Sequence, residues 1–314
     1  MTKSIAFVFP GQGSQAVGML TEHYALSPII GETFAEASDA LGYDLWSLVQ
    51  SGPVESLNQT DKTQPAILTA SVALWRMWQA CDGVAPQYVA GHSLGEYSAL
   101  VAANSVTFAE AVKLVELRGQ LMQAAVPAGQ GGMAAILGLE DADVVAACAE
   151  AARGEVVSAV NFNAPGQVVI AGVASAVERA IEVCKVKGAK RALPLPVSVP
   201  SHCDLMRPAA ERFAEALKRI SWKAPEIALV QNVSAAAVSD SESLKNNLLA
   251  QLYSPVRWVE SMVCLQRQGV TALVECGPGR VLSGLNKRCV KGVDTFNLDT
   301  PDVFATAQAA LSNG

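Results

Sequence analysis

The sequence predicts an α/β fold in which a small βαββαβ unit interrupts a larger one, and three observations point there. Apolar residues make up 51% of the 314-residue chain and aromatics only 6%. That is the balance of an Ala/Val/Leu-rich chain long enough to bury a large core. Short apolar runs closed by glycine turns alternate with stretches of helical period in the N- and C-terminal parts. Between residues 133 and 197 the rhythm changes to strand, helix, two strands, helix, strand, the split unit of a ferredoxin-like fold. The expected bounds are 128–198 for the small unit and 1–127 plus 199–314 for the large one.

Residues 4–9 form a compact apolar run ended by Pro10-Gly11-Gln12-Gly13, a buried strand opening into a glycine turn. Gly11, Gly13 and Ala16 also satisfy GxGxxA, a dinucleotide-binding fingerprint. However, the acids about 20 residues on, Glu32 and Glu36, fall in a helical pattern and not at the end of a second strand. The turn is read instead as presenting a backbone N–H, that of Gln12, to an oxyanion. Residues 29–79 are helical in pattern with breaks at 51–53 and 60–65. Gln64 precedes a proline at the mouth of the helix 66–80, where it serves either the helix entry or a pocket wall.

The stretch from Tyr88 to Glu96 reads as a strand, a tight turn and the start of a helix running over 97–103. Gly91 and Gly95 flank Ser93 at the spacing GxSxG. Lacking β-carbons, they let a strand reverse into a helix with the serine strained at the apex. This is the geometry of a nucleophile, with the hydroxyl clear of the sheet and the N–H of Leu94 left for a developing oxyanion. In the next helix, 107–125, Arg118 falls in register with Ala111, Leu114, Leu121 and Ala125 on the apolar stripe, away from the polar edge of Lys113, Glu116 and Gln120. A guanidinium there needs an anionic partner or a route to solvent. Periodicity leaves three options open: an internal salt bridge, a snorkelling side chain, or a fork that grips a substrate carboxylate.

Residues 127–132 read as a linker. Within the small unit the expected strands are 133–137, 156–162, 167–171 and 191–197, and the expected helices 141–152 and 174–187. Of the three histidines, His23 has no motif around it, and His92, beside Ser93 on a sharp turn, is expected to point away. His202, which follows Val199-Pro200-Ser201 ahead of a helix at 206–220, is by elimination the base for Ser93. No acid is marked as its partner, so a backbone carbonyl or an amide is expected to orient it. Further strands are expected at 227–230 and 271–275, the latter followed by Cys276-Gly277-Pro278-Gly279 and a helix through 285.

A net charge of -6 argues against nucleic acid as a partner. The seven cysteines are scattered without CxxC or Cys/His ligand spacing, as expected for reduced thiols in a cytoplasmic protein without a metal site. No leader or membrane-spanning run is seen, so a soluble protein is expected.

The motifs FVFPGQGSQ, QPA, GHSLGEYSAL, the Arg118-Gly119 pair, NFNAPGQVVIAG, VPSH, QLYSPVRW and ECGPG run in order over nearly the whole chain. Together they resemble the malonyl-CoA:acyl carrier protein transacylase family of fatty acid synthesis. The resemblance implies an α/β-hydrolase-like large domain with a mostly parallel sheet and an inserted ferredoxin-like small domain. Residue by residue, it implies Ser93 as the acylated nucleophile, His202 as its base and the main-chain carbonyl of Gln251 as the group that orients the histidine. It further implies Gln12 and Leu94 as oxyanion donors, Arg118 as a carboxylate clamp, and Asn161 and Asn163 as cleft residues, although both asparagines also read as turn residues before Pro165. Gln64 lies in the QPA match and stays a candidate pocket residue.

The implied reaction is ping-pong acyl transfer from malonyl-CoA to the phosphopantetheine thiol of acyl carrier protein. It needs no permanently bound cofactor and no membrane or nucleic-acid partner, and a monomer is expected. Ser201 leaves branched extender units open, because in related modular synthases the residue before the histidine is often Phe in malonyl-selective members and Ser in methylmalonyl-selective ones. A serine thioesterase would share the elbow and base without needing Arg118, and a carrier-protein binding module would need neither. Lys185, Lys187, Lys190 and Arg191, and separately Lys287, Arg288 and Lys291, are candidate contacts for an acidic carrier protein.

Overall fold

Ten strands make up two sheets in the computed structural model, which describes residues 3–197 and 199–312. They are β1 (Ile5–Phe9), β2 (Tyr88–Gly91), β3 (Gly131–Leu137), β4 (Val157–Ala164), β5 (Gln167–Val173), β6 (Arg191–Pro194), β7 (Ala228–Gln231), β8 (Ala236–Val238), β9 (Ala272–Glu275) and β10 (Asp294–Asn297). The expected boundary at residue 198 lies outside the described residues, as do the end positions 1 and 314.

The larger sheet has the order β10-β9-β1-β2-β7-β8, and every pair in it is parallel except β7 with β8. β1 lies inside this sheet and is buried at all five positions. A parallel strand covered on both faces has no solvent side, so it reads as an unbroken apolar run. Phe7 stands opposite Val89 on one side and Val274 on the other, and its ring packs edge-on against Trp75 and Trp78 of the helix Thr60–Ala80. That helix corrects the break expected at 60–65, because Pro65 lies inside it. Only the first turns of the helix precede the proline, so a single intrahelical donor is lost. Gln64 is therefore a buried helical residue and not an entry residue.

The smaller sheet is antiparallel with the order β4-β5-β3-β6, the strand order of a ferredoxin-like unit. Alternation along its strands divides its two faces. Ala134, Ile136, Val168 and Ile170 pack on the helices Asp141–Ala152 and Ala174–Val186. Met133, Val160, Val169 and Ala171 gather on the opposite face with Cys203. β6 stops at Pro194, three residues short of the expected end. Beyond 199 the structure adds β8, β10 and the helices Ser241–Gln251, Trp258–Arg267 and Pro301–Ser312, none of which the sequence reading had marked.

One short segment joins the sheets at the site. The N–H of Phe162 donates to the carbonyl of Val256 (3.0 Å) and the N–H of Val256 to the carbonyl of Val160 (2.8 Å), a bridge that sets Asn161 beside Val256. Nearby, Arg288 donates to the carbonyl of Pro165 at 2.9 Å and to the side chain of Gln167.

Candidate active site

β2 ends at Gly91 and a helix starts at Gly95, leaving three residues for the reversal. A β-carbon on Gly91 would lie 1.9 Å from the backbone of Gly95, and one on Gly95 would lie 2.0 Å from the carbonyl oxygen of Phe9. Strand and helix pass too close for any side chain, which is the physical content of the two glycines. Gly11 has the same origin, since a β-carbon there would lie 2.5 Å from the carbonyl oxygen of His92. The turn after β1 is thereby pressed against the turn after β2.

Ser93 sits at φ 52°, the left-handed region that costs an L residue about 1–2 kcal/mol. Asn232 holds it there. The Asn232 Oδ1 accepts the Ser93 N–H at 2.7 Å, and its Nδ2 donates to the Gly91 carbonyl at 2.6 Å. The backbone N–H of Asn232 in turn donates to Glu96.

The Ser93 Oγ lies 2.7 Å from His202 Nε2, and His202 Nδ1 lies 2.7 Å from the carbonyl oxygen of Gln251. A carbonyl only accepts, so Nδ1 carries the proton and Nε2 is left to receive one from the serine. Burial and then the charge of Arg118 push His202 down to about 3, so the ring is neutral at physiological pH. The backbone N–H of His202 donates to the carbonyl of Leu252. The segment from Gln251 to Val256 therefore holds His202 at one end and pairs with β4 at the other.

Arg118 is 1% exposed. It donates to Gln64 Oε1 at 2.9 Å, to Gln251 Oε1 at 3.0 Å and to Ser93 Oγ at 3.3 Å, and its guanidinium lies 5.5 Å from the ring centroid of Tyr97. Its Nε has no hydrogen-bond partner among the described residues, and none of the carboxylates among them lies within 4.0 Å of it. Two of the three options left open by the sequence find no support: Arg118 makes no salt bridge among the described residues, and the residue is 1% exposed. Glu96, 0% exposed, accepts from the Asn232 N–H and the Gln251 side-chain amide. Burial pushes Glu96 up to about 8 against the pull of those two donors and of Arg118.

These groups open on a cavity of about 210 Å³. Arg118 is the one Lys or Arg among its lining residues, and no acid lines it. Leu94 and Gln12 line it as well, and their backbone N–H groups have no partner among the described residues. Asn161 and Asn163 belong to β4, not to a turn. Asn161 stands opposite Val169 and Asn163 falls in a register shift between Phe162 and Ala164, and both line the cavity. His92 corrects an expectation: it also lines the cavity, with Nε2 2.7 Å from Asn163 Oδ1. The left-handed residue after it interrupts the alternation that would have turned it away.

The acyl transferase domain model matches residues 6–299. Over 302 residues the chain is 59% identical to the malonyl CoA-acyl carrier protein transacylases of Salmonella typhimurium and Escherichia coli K12, covering 96% of this chain and 98% of each relative. The chain belongs to the malonyl CoA-acyl carrier protein transacylase family. Among solved structures, an acyl carrier protein S-malonyltransferase from Vibrio cholerae superposes with a TM-score of 0.95 at 58% identity, covering 96% of this chain and 99% of that one. A malonyl-transacylase solved in complex with its type II PKS acyl-carrier protein gives a TM-score of 0.97 at 54% identity, covering 98% and 99%. The sequence reading of this transacylase-family chain had assigned no role to Glu96 or Asn232. Glu96 stood inside the quoted motif GHSLGEYSAL, where only the glycines, Ser93 and Leu94 were given a role. Asn232 lies in a loop after β7 with no pattern to mark it.

Proposed function

We propose that this chain moves the malonyl group of malonyl-CoA to the phosphopantetheine thiol of acyl carrier protein through a malonyl ester on Ser93. The observation that carries the reading is Arg118: a buried cation at hydrogen-bond distance from the Ser93 hydroxyl, with no carboxylate among the described residues within 4.0 Å. A buried charge of this kind is costly unless paired, and a malonyl carboxylate supplies the pair.

In the first half-reaction His202 Nε2 takes the Ser93 proton as Oγ attacks the thioester carbonyl. The oxyanion accepts from the N–H groups of Leu94 and Gln12, and collapse expels the coenzyme A sulfur, which leaves with the proton from His202. In the second half-reaction the carrier thiol gives its proton to His202 and attacks the ester; collapse returns that proton to Ser93 and releases the malonyl thioester. Arg118 contributes to the lowering of His202. A malonyl carboxylate on Arg118 offsets that charge, so the base strengthens when the right substrate is bound. Asn161, Asn163 and Gln64 line or support the acyl pocket in this reading.

The wider proposal is a monomeric cytoplasmic enzyme with large and small units at 1–127 plus 199–314 and 128–198. Two separate sheets and seven free cysteines support it, and no helix among the described residues is long and apolar enough to cross a membrane.

The test is intact-protein mass after mixing with malonyl-CoA and again after adding holo acyl carrier protein. The expected result is a one-malonyl adduct, absent in Ser93→Ala, that passes to the carrier. Release of malonate to water without carrier acylation would overturn the transferase assignment in favour of a thioesterase.

A further inference from the structure

Glu96 is a buried carboxyl that the acyl transfer does not itself use, and it sits where two parts of the site meet. One end of the Gln251 side-chain amide, Oε1, accepts from Arg118 at 3.0 Å. The other end, Nε2, has two protons: one goes to the Ser93 carbonyl at 3.0 Å and one to a Glu96 oxygen. The second Glu96 oxygen takes the backbone N–H of Asn232, whose side chain holds the Ser93 turn.

We propose that Glu96 is a positioning residue for malonyl specificity: as a carboxylate it fixes the direction of the Gln251 amide, so that Oε1 and not the NH2 faces Arg118, and the guanidinium is held where it meets the substrate carboxylate. This rests on the reading of Arg118 as a clamp. An ionised carboxylate only accepts, and both N–H groups that face Glu96 are satisfied by it. A carboxamide at position 96 has a single accepting oxygen. The backbone N–H of Asn232 is fixed by the chain and keeps that oxygen, which sets NH2 against the Nε2 of Gln251, donor against donor. Turning the Gln251 amide over relieves this clash but presents its NH2 to Arg118, a group with no acceptor, and its oxygen to the Ser93 carbonyl. The flipped arrangement takes the Gln251 acceptor from Arg118 and leaves it Gln64, while the unflipped one keeps that acceptor only against the donor–donor clash. The main-chain carbonyl of Gln251, which orients His202, does not depend on which way the side chain points. The effect therefore falls on an acyl group with a carboxylate more than on one without.

The test is the ratio of kcat/KM for malonyl-CoA over acetyl-CoA, with holo acyl carrier protein as acceptor, in the unsubstituted enzyme, Glu96→Gln and Arg118→Ala. At pH 9, where Glu96 held at about 8 is a carboxylate, we expect the ratio to fall about tenfold in Glu96→Gln, the equivalent of one weakened charge-assisted hydrogen bond, and at least as far in Arg118→Ala. A residue that only supports the fold lowers both substrates together and leaves the ratio alone. An unchanged ratio in Glu96→Gln beside a collapsed one in Arg118→Ala overturns the relay. An unchanged ratio in both overturns the clamp on which it rests. If Glu96→Gln does not fold, Gln251→Met carries the same readout, because it removes the amide and keeps the main-chain carbonyl. The ratio should fall there whatever the absolute rate, and an unchanged ratio overturns the proposal. Where both variants fold, the double variant should lower the ratio no further than the worse single, as members of one relay are non-additive.

Discussion

Replacing Asn232 by alanine tests how Ser93, the proposed nucleophile, is held. The side chain pairs two backbone groups of the elbow, the Ser93 N–H at 2.7 Å and the Gly91 carbonyl at 2.6 Å. Asn232 is 0% exposed, so losing it leaves the buried Gly91 carbonyl and the part-buried Ser93 N–H without their partner. Each unpaired buried group costs about 1–3 kcal/mol, and a water entering the gap recovers part of the sum. We expect a loss of about 2–4 kcal/mol, which is a large share of a typical domain's stability. The kinetic effect is separate. Ser93 is held at a φ of 52° against about 1–2 kcal/mol of strain, and without its latch the turn relaxes and carries Oγ away from the 2.7 Å contact with His202. A misplacement of about 1 Å costs about 100-fold in rate. Urea denaturation gives the first quantity, from the midpoint at constant slope, and rapid-quench intact-mass acylation by malonyl-CoA gives the second. An Asn232→Ala protein within about 0.5 kcal/mol and twofold of the unsubstituted enzyme would show that the elbow is set by its glycines alone, and would refute this account.

Gly95→Ala should give no soluble folded protein, because its β-carbon meets the Phe9 carbonyl at 2.0 Å. Gly284→Ala, with open space around the added carbon, should express normally, and equal yields would contradict the packing argument. His202 is held at about 3 when folded against 6.5 when unfolded, so below pH 6.5 the unfolded chain takes up a proton that the native state refuses and stability falls with pH. Between pH 6 and 5 the unsubstituted enzyme should lose about 1 kcal/mol more than His202→Gln in urea titrations, and parallel profiles would mean that the ring is not held neutral. Burial holds Glu96 at about 8, and the carboxylate is the form that seats Gln251. The malonyl-over-acetyl ratio should therefore rise from pH 7 to 9 and stay level in Glu96→Gln. Arg118 and Tyr97, the ionisable neighbours that act on Glu96, do not titrate in that window, since burial pushes Tyr97 further up and a guanidinium keeps its proton.

What could be read from the chain was whatever local sterics or register force upon it. Ser93 was legible because only glycine tolerates approaches of about 2 Å on either side. Arg118 was legible because a cation on an apolar stripe breaks a helical period. His202 emerged because the chain has few histidines, but its carbonyl partner on Gln251 came from family resemblance, since a main-chain acceptor leaves no mark in side-chain chemistry. Asn232 and Glu96 were missed for a related reason. Their importance lies in hydrogen bonds to backbone groups distant in sequence, between residues that look ordinary where they stand. Pro65 misled because the usual rule that a helix starts after such a break ignores how little a long helix loses near its first turns. The C-terminal elements went unread where their segments were short or, as in Ser241–Gln251, mixed polar and apolar residues without a strong stripe.

The segment Gln251 to Val256 has a consequence for recombining these enzymes. It presents a carbonyl to His202 at one end and completes a backbone bridge to Asn161 at the other, so the proposed base and the proposed acyl-pocket wall share six residues of chain. A chimera cut only near 127 and 199 would bring in a foreign β4 edge against a native 251–256 segment. The mismatch would be transmitted to the tilt of His202, and a swap intended to alter substrate range would also slow the chemistry. Residues 251–256 should travel with the small unit as a third piece of the graft, although they lie some fifty residues further along the chain.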